Sequence, residues 1–119
     1  MAHGAEAAGV LEKATKQDDG RYEVSGWAFF PGQDRPADSV ALLSRVAGGE
    51  ARLVAIADRP ERRRDVMKRL RNRKSLWSGW HATLPRAGAV PGAEISAWAV
   101  DTAGRKLHRL PTNAFVVPP

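Results

Sequence analysis

Punctuation is the feature that most constrains this fold: short apolar-rich runs are cut, at nearly even intervals, by Gly, Pro and Asp. Residues 10–16 can form a strand that Gln17-Asp18-Asp19-Gly20 turns back, Gly20 accepting the positive φ of a hairpin turn. Residues 22–30 (YEVSGWAFF) follow. Val24 and Phe30 fall on one face and Trp27 and Phe29 on the other, so both faces are apolar and the strand belongs in the middle of its sheet. Pro31-Gly32-Gln33-Asp34-Arg35-Pro36 breaks it into a loop. Residues 39–46 place Val40, Leu42 and Val46 on one face, Gly48-Gly49 turns, and 51–57 return with Leu53, Val54 and Ile56 as a second hairpin. Later runs cover 76–84, 94–100 and 106–110, separated by a Pro/Gly-rich link over 85–92 and an Asp101-Thr102-Ala103-Gly104 turn. A short last strand, 114–117, stops at Pro118-Pro119, which cannot extend a ladder; its edge could pair two chains.

Seven or eight short strands at this spacing predict a mainly β chain, an antiparallel β-sandwich or barrel. The sandwich is preferred, because the faces alternate unevenly and no closing register is visible. A length of 119 residues with 43% hydrophobic side chains supports one core. The expected organisation is a flexible leader over 1–8 and a single domain over 9–119. The chain has no Cys, which removes disulfides, thiolate metal sites and Cys nucleophiles. It has no apolar run near the roughly 20 residues of a membrane span, and its first residues lack the pattern of a signal peptide.

Charge is concentrated. The net charge of +6 arises from 19 basic and 13 acidic residues. Residues 59–74 alone hold nine Arg or Lys against Glu61 and Asp65, a net +7, so the rest of the chain sums to −1. This insert is read as one basic helix, with Pro60 at its first position, where a missing N–H does no harm. Val66, Met67 and Leu70 share a face at helical spacing and would dock it on the edge or end of a sheet. Arg59, Arg62, Arg63, Lys68, Arg69, Arg71, Arg73 and Lys74 form the candidate binding patch.

Three Trp sit among small residues: Ser25-Gly26-Trp27-Ala28, Ser78-Gly79-Trp80-His81 and Ser96-Ala97-Trp98-Ala99. Small neighbours leave room for an indole to lie flat, so the three are expected to build one aromatic core layer. Trp77, next to the basic insert, is the candidate for a partly exposed aromatic contact. His3, His81 and His108 have no metal-ligand spacing, and the Asp residues lie in or beside turns, where local hydrogen bonding favours them. No nucleophile elbow, phosphate loop or dinucleotide fingerprint is present. The sequence therefore predicts a binding module, with no catalytic residues, metal or cofactor.

The order Val24-Ser25-Gly26-Trp27-Ala28, Arg64-Asp65-Val66, Ser78-Gly79-Trp80 and Ala97-Trp98-Ala99-Val100-Asp101 resembles a bacterial immunoglobulin-like β-sandwich domain appended to envelope and membrane proteins, some of glycosyltransferase type. That family shows an "sGWA" strand, an Arg-Pro-Asp-Val element, an "sGF" or "sGW" strand and a late "A-x-A-x-D" hairpin. The resemblance runs from about Val10 to Val117 and departs where Arg-Arg-Asp-Val replaces Arg-Pro-Asp-Val. It implies an accessory, extracytoplasmic (for instance periplasmic) domain, with Arg64 and Asp65 as a structural pair beside the following strand. The leading expectation is a cationic helix facing an anionic partner: lipid headgroups, glycan or acidic protein. The alternatives are a cytoplasmic nucleic-acid-binding module using the same helix, and a carbohydrate-binding domain using Trp77 and Trp80.

Overall fold

A computed structural model describes residues 7–110 and 115–118. In chain order its strands are β1 (Ala8–Lys16), β2 (Tyr22–Phe30), β3 (Arg35–Pro36), β4 (Ser39–Arg45), β5 (Arg52–Ala57), β6 (Gly79–Leu84), β7 (Glu94–Asp101), β8 (Lys106–Arg109) and β9 (Phe115–Val116). One α-helix, α1 (Arg64–Leu70), lies between β5 and β6 and is followed by a 3-10 turn, Arg73–Trp77. Two antiparallel sheets pack face to face as a β-sandwich. In the first, β2 is central, paired with β1 on one side and with β6 and β3 on the other; the second runs β5-β4-β7-β8, with β9 also on β7. The whole is a slab of 39 × 32 × 21 Å.

The core follows from the period-2 pleat. Val24 and Phe30 of β2, Leu84 of β6, Val40 and Leu42 of β4 and Ile95 of β7 are fully or almost fully buried between the sheets. On the opposite face of β2, Trp27 and Phe29 form a second, smaller cluster closed by Val66 of α1, with Leu70, Ala8 and Val10 packed against it. So β2 is central and apolar on both faces, as its sequence required, because α1 covers the side away from the core.

The basic insert is less helical than its periodicity suggested. Glu61 forms a β-bridge with Gly79, each N–H donating to the other's carbonyl, and the Arg63 N–H donates to the Leu76 carbonyl. These bonds keep 59–63 out of the helix, so Pro60 is not at a helix start, and the helix begins only at Arg64. It ends where Arg71 adopts the left-handed conformation, φ 52°. The helix also docks on the outer face of the first sheet, not on its edge or end, because Trp27 and Phe29 present the apolar surface there. Val66 and Leu70 make that contact; Met67 is only partly buried.

Other expectations change for similar reasons. Leu76 and Trp77 belong to the 3-10 turn, so the strand expected over 76–84 starts at Gly79. Residues 1–6 of the leader, and Ala114 at the start of the last strand, lie outside the described residues. Ala7 is buried in the core and Ala8 pairs with Phe29, so the domain begins before residue 9. The three Trp do not share a layer. Trp27 lies under α1, Trp80 between the sheets, and Trp98 on the outer side of the second sheet. Each strand has its own phase relative to the core, and a local motif of small residues does not set that phase.

Candidate functional site

Three of the nine basic side chains of the insert are engaged within the fold. Arg63 is the chief one. Its guanidinium forks onto Glu12 of β1 (2.6 and 3.1 Å) and onto Asp65 (2.7 and 2.9 Å), tying the base of α1 to the first sheet. The structural pair implied as Arg64–Asp65 is thus Arg63–Asp65, and Arg64 joins the exposed set in its place. Asn72 donates to the Asp34 carboxylate and Lys74 pairs with it at 2.9 Å, which together hold the Asp34 carboxyl below its ordinary range. Arg62 lies over the Trp77 ring, 5.7 Å from its centroid.

Six cations remain. Arg59, Arg64, Lys68, Arg69, Arg71 and Arg73 are exposed and have no ion pair among the described residues. Arg64 and Lys68 stand one turn apart, on the side of α1 opposite Val66 and Leu70. Arg71 occupies a backbone conformation in which a side chain is strained by roughly 1–2 kcal/mol and glycine is preferred.

The Arg63 clamp is sensitive to acid. Hydrogen bonding to Arg63 lowers the Asp65 carboxyl to about 2, from 3.8. Its folded value lies below its unfolded one, so the stabilisation is complete above about pH 4 and is lost as the pH falls through about 2. Asp65→Asn should therefore melt below the wild type at pH 7, with the gap closing toward pH 2. A gap that stays constant in thermal melts across that range would show that the clamp is not electrostatic.

A second feature lies beside Arg59. A half-open cleft of about 300 Å³ runs between the β3–β4 segment, the end of β5 and the start of β6. Trp77, Trp80, Asp38, Asp58, Arg59 and Pro60 are among its lining residues. Trp77 is 49% exposed, whereas Trp80 is almost fully buried. The turn that presents Trp77 is held from within. Asn72 accepts from the Lys74 N–H, the Ser75 hydroxyl donates to the Asn72 carbonyl, and the Ser78 hydroxyl donates to the Ser75 carbonyl. Asp58 and Arg59 carry no ion pair among the described residues and are exposed at the cleft.

Two of the turn carboxylates, Asp101 and Asp38, are engaged within the fold. Asp101 accepts from the Gly104 N–H, Gln33 and Arg35, which keep its carboxyl below the ordinary range, and Asp38 accepts from Arg35 and the Thr102 N–H. His81 pairs with Glu61. Among the described residues, no cluster of His, Asp or Glu could hold a metal ion, and no helix is long and apolar enough to cross a membrane. Sequence reasoning counted Arg63 among the binding cations because charge alone does not reveal a partner 51 residues away. It missed the cleft because Asp38, Asp58 and Trp77 converge only through strand pairing. Comparison with protein-family models, curated proteins and solved structures found no match.

Proposed function

We propose that this domain is a non-catalytic accessory module of a bacterial envelope protein that holds an anionic surface, foremost one of acidic lipid headgroups, against its cationic face. The observation that carries this reading is the set of six exposed cations with no ion pair among the described residues, gathered on one short helix and its flanks. Headgroups present a flat array of charges, which suits cations standing on a broad convex face better than it suits a pocket. Residues 59–74 contain no aromatic that could stack on bases, so the same helix offers phosphate contact but no base reading. Attachment by charge alone weakens within a Debye length of about 8 Å at physiological salt.

Co-sedimentation with vesicles containing phosphatidylserine, compared with neutral phosphatidylcholine vesicles, tests it. Binding to the anionic vesicles that fades with added salt is expected. Equal and negligible binding to both overturns the proposal, and tighter binding to RNA or DNA in a parallel titration moves the partner to nucleic acid.

Arg71 allows stability and binding to be separated. Replacing it by Gly relieves the left-handed strain and should raise stability by roughly 0.5–1 kcal/mol in urea unfolding. The same change removes a cation and should weaken vesicle binding by about fivefold. A variant that is both less stable and equally well bound would contradict both halves of this expectation.

The cleft supports a second reading, a carbohydrate site. A half-exposed indole offers a flat apolar wall for a sugar ring, while Asp58 and Arg59 offer hydrogen bonds to its hydroxyls. Oligosaccharide titration should then quench tryptophan emission in the wild type but not in Trp77→Ala. Unchanged emission across neutral and acidic oligosaccharides removes this reading.

A further inference from the structure

The two broad faces of the slab differ in kind. On the first sheet the outer face is either covered by α1 or polar: Glu23, His81 and Thr83 lie there, with Thr83 bonded to Glu23. On the second sheet the pleat directs a largely apolar set outward, interrupted by Ser96 and by Arg109, which lies over the Trp98 ring. Leu43 stands between Leu53 and Ser96, Ala41 between Ile56 and Trp98, and Val100 beside Leu107. A bulge between Leu42 and Leu43, where Val54 is the extra residue, brings Leu53 and Ile56 to the same side although they are three residues apart. Leu53 is 58% exposed, Ile56 54%, Leu107 49% and Val116 56%. An antiparallel sheet with one face in water ordinarily alternates apolar and polar residues, and a contiguous apolar face marks an interface.

We infer that the outer face of the second sheet is the contact surface for a second copy of this chain. Its size fits a weak, reversible dimer. The sheet is four strands wide, because β8 and β9 share one edge of β7; strands about 4.8 Å apart and about seven residues long then make a face on the order of 450 Å², below the roughly 800 Å² per partner of a standard interface. Its charges fit as well. The ionic side chains directed outward from this face are Arg45, Glu94 and Arg109, with Arg109 and Glu94 3.6 Å apart and about half exposed. A two-fold axis through the face can set each Arg109 against the partner's Glu94. Elsewhere the net charge of +6 opposes self-association, most strongly through the cationic face on the far side. A dimer built in this way carries its two α1 helices on opposite outer surfaces.

Analytical ultracentrifugation of the full chain over a concentration series tests this without reference to any ligand. A reversible dimer is expected. Ile56→Glu or Leu53→Glu should raise its dissociation constant on the order of a hundredfold, since each puts two carboxylates into an apolar contact. Both side chains are exposed in the monomer, so far-UV circular dichroism and the melting temperature should hardly change at monomeric concentrations. Glu94→Arg and Arg109→Glu should each weaken the dimer, and the double exchange should restore it. A chain that stays monomeric up to about 1 mM, the weak limit of specific association, overturns the inference. So does a dimer that Ile56→Glu and Leu53→Glu leave unchanged.

Discussion

Replacing Arg64, Lys68, Arg69, Arg71 and Arg73 together by Gln is expected to lower partitioning onto anionic vesicles by about three orders of magnitude. Each cation near such a surface contributes about 1 kcal/mol, so the five amount to roughly 5 kcal/mol before screening between neighbours reduces the total. None of the five is paired within the described residues, so the change should leave the fold intact. The decisive control removes the same number of charges elsewhere: Lys16, Arg52, Arg86, Arg105 and Lys106, all exposed and outside the insert. If that variant loses as much affinity, net charge governs binding and the helix has no special part. If only the first set matters, the partner is held at α1. Arg63→Gln should behave differently from both, lowering stability with little direct effect on binding, since its guanidinium is already occupied by Glu12 and Asp65.

Gly26→Ala is expected to be a severely destabilising small substitution in the sandwich. Gly26 pairs with Leu11, beside the register shift between Leu11 and Lys13, and with Trp80 on its other side. A methyl group there would run into the Val10 carbonyl and approach Trp80 Cζ2 to 2.9 Å. The first obstacle is backbone, so β1 must move away from β2 and the packing of Trp80 must shift with it. A loss of at least about 3 kcal/mol, and of 10 °C or more in Tm, is expected. Gly32→Ala is the matching control: nothing lies within 4 Å of the added carbon, and the change should stay within about 0.5 kcal/mol. Equal urea midpoints for the two variants would show that the close approach at Gly26 is not enforced.

The small residue before Trp27 in the Ser-Gly-Trp-Ala run therefore has a structural reason. The small residues of the run leave room for an indole there. The indole that uses the room is Trp80, from the neighbouring strand, while Trp27 itself points the other way, to α1.

Local chemistry by itself determined the β-sandwich, the hairpins at Gly20, Gly48-Gly49 and Asp101–Gly104, and the two apolar faces of β2. Turn residues and period-2 patterning act over a few positions and are legible in order along the chain. It also located the positive charge between residues 59 and 74. Contacts between distant residues decided the rest. The Glu61–Gly79 bridge shortened the helix, Glu12 and Asp65 withdrew Arg63 from the binding set while the exposed Arg64 joined it, and the packing of β3, β4, β5 and β6 assembled the cleft around Trp77. Only the assembled second sheet shows that Leu53, Ile56, Trp98 and Leu107 form one outward face, because a bulge at Val54 changes the phase of β5 and the other three strands join through hydrogen bonds no local pattern records. Periodicity tells which residues share a side of their own strand; packing alone decides whether that side meets the core, a helix or water.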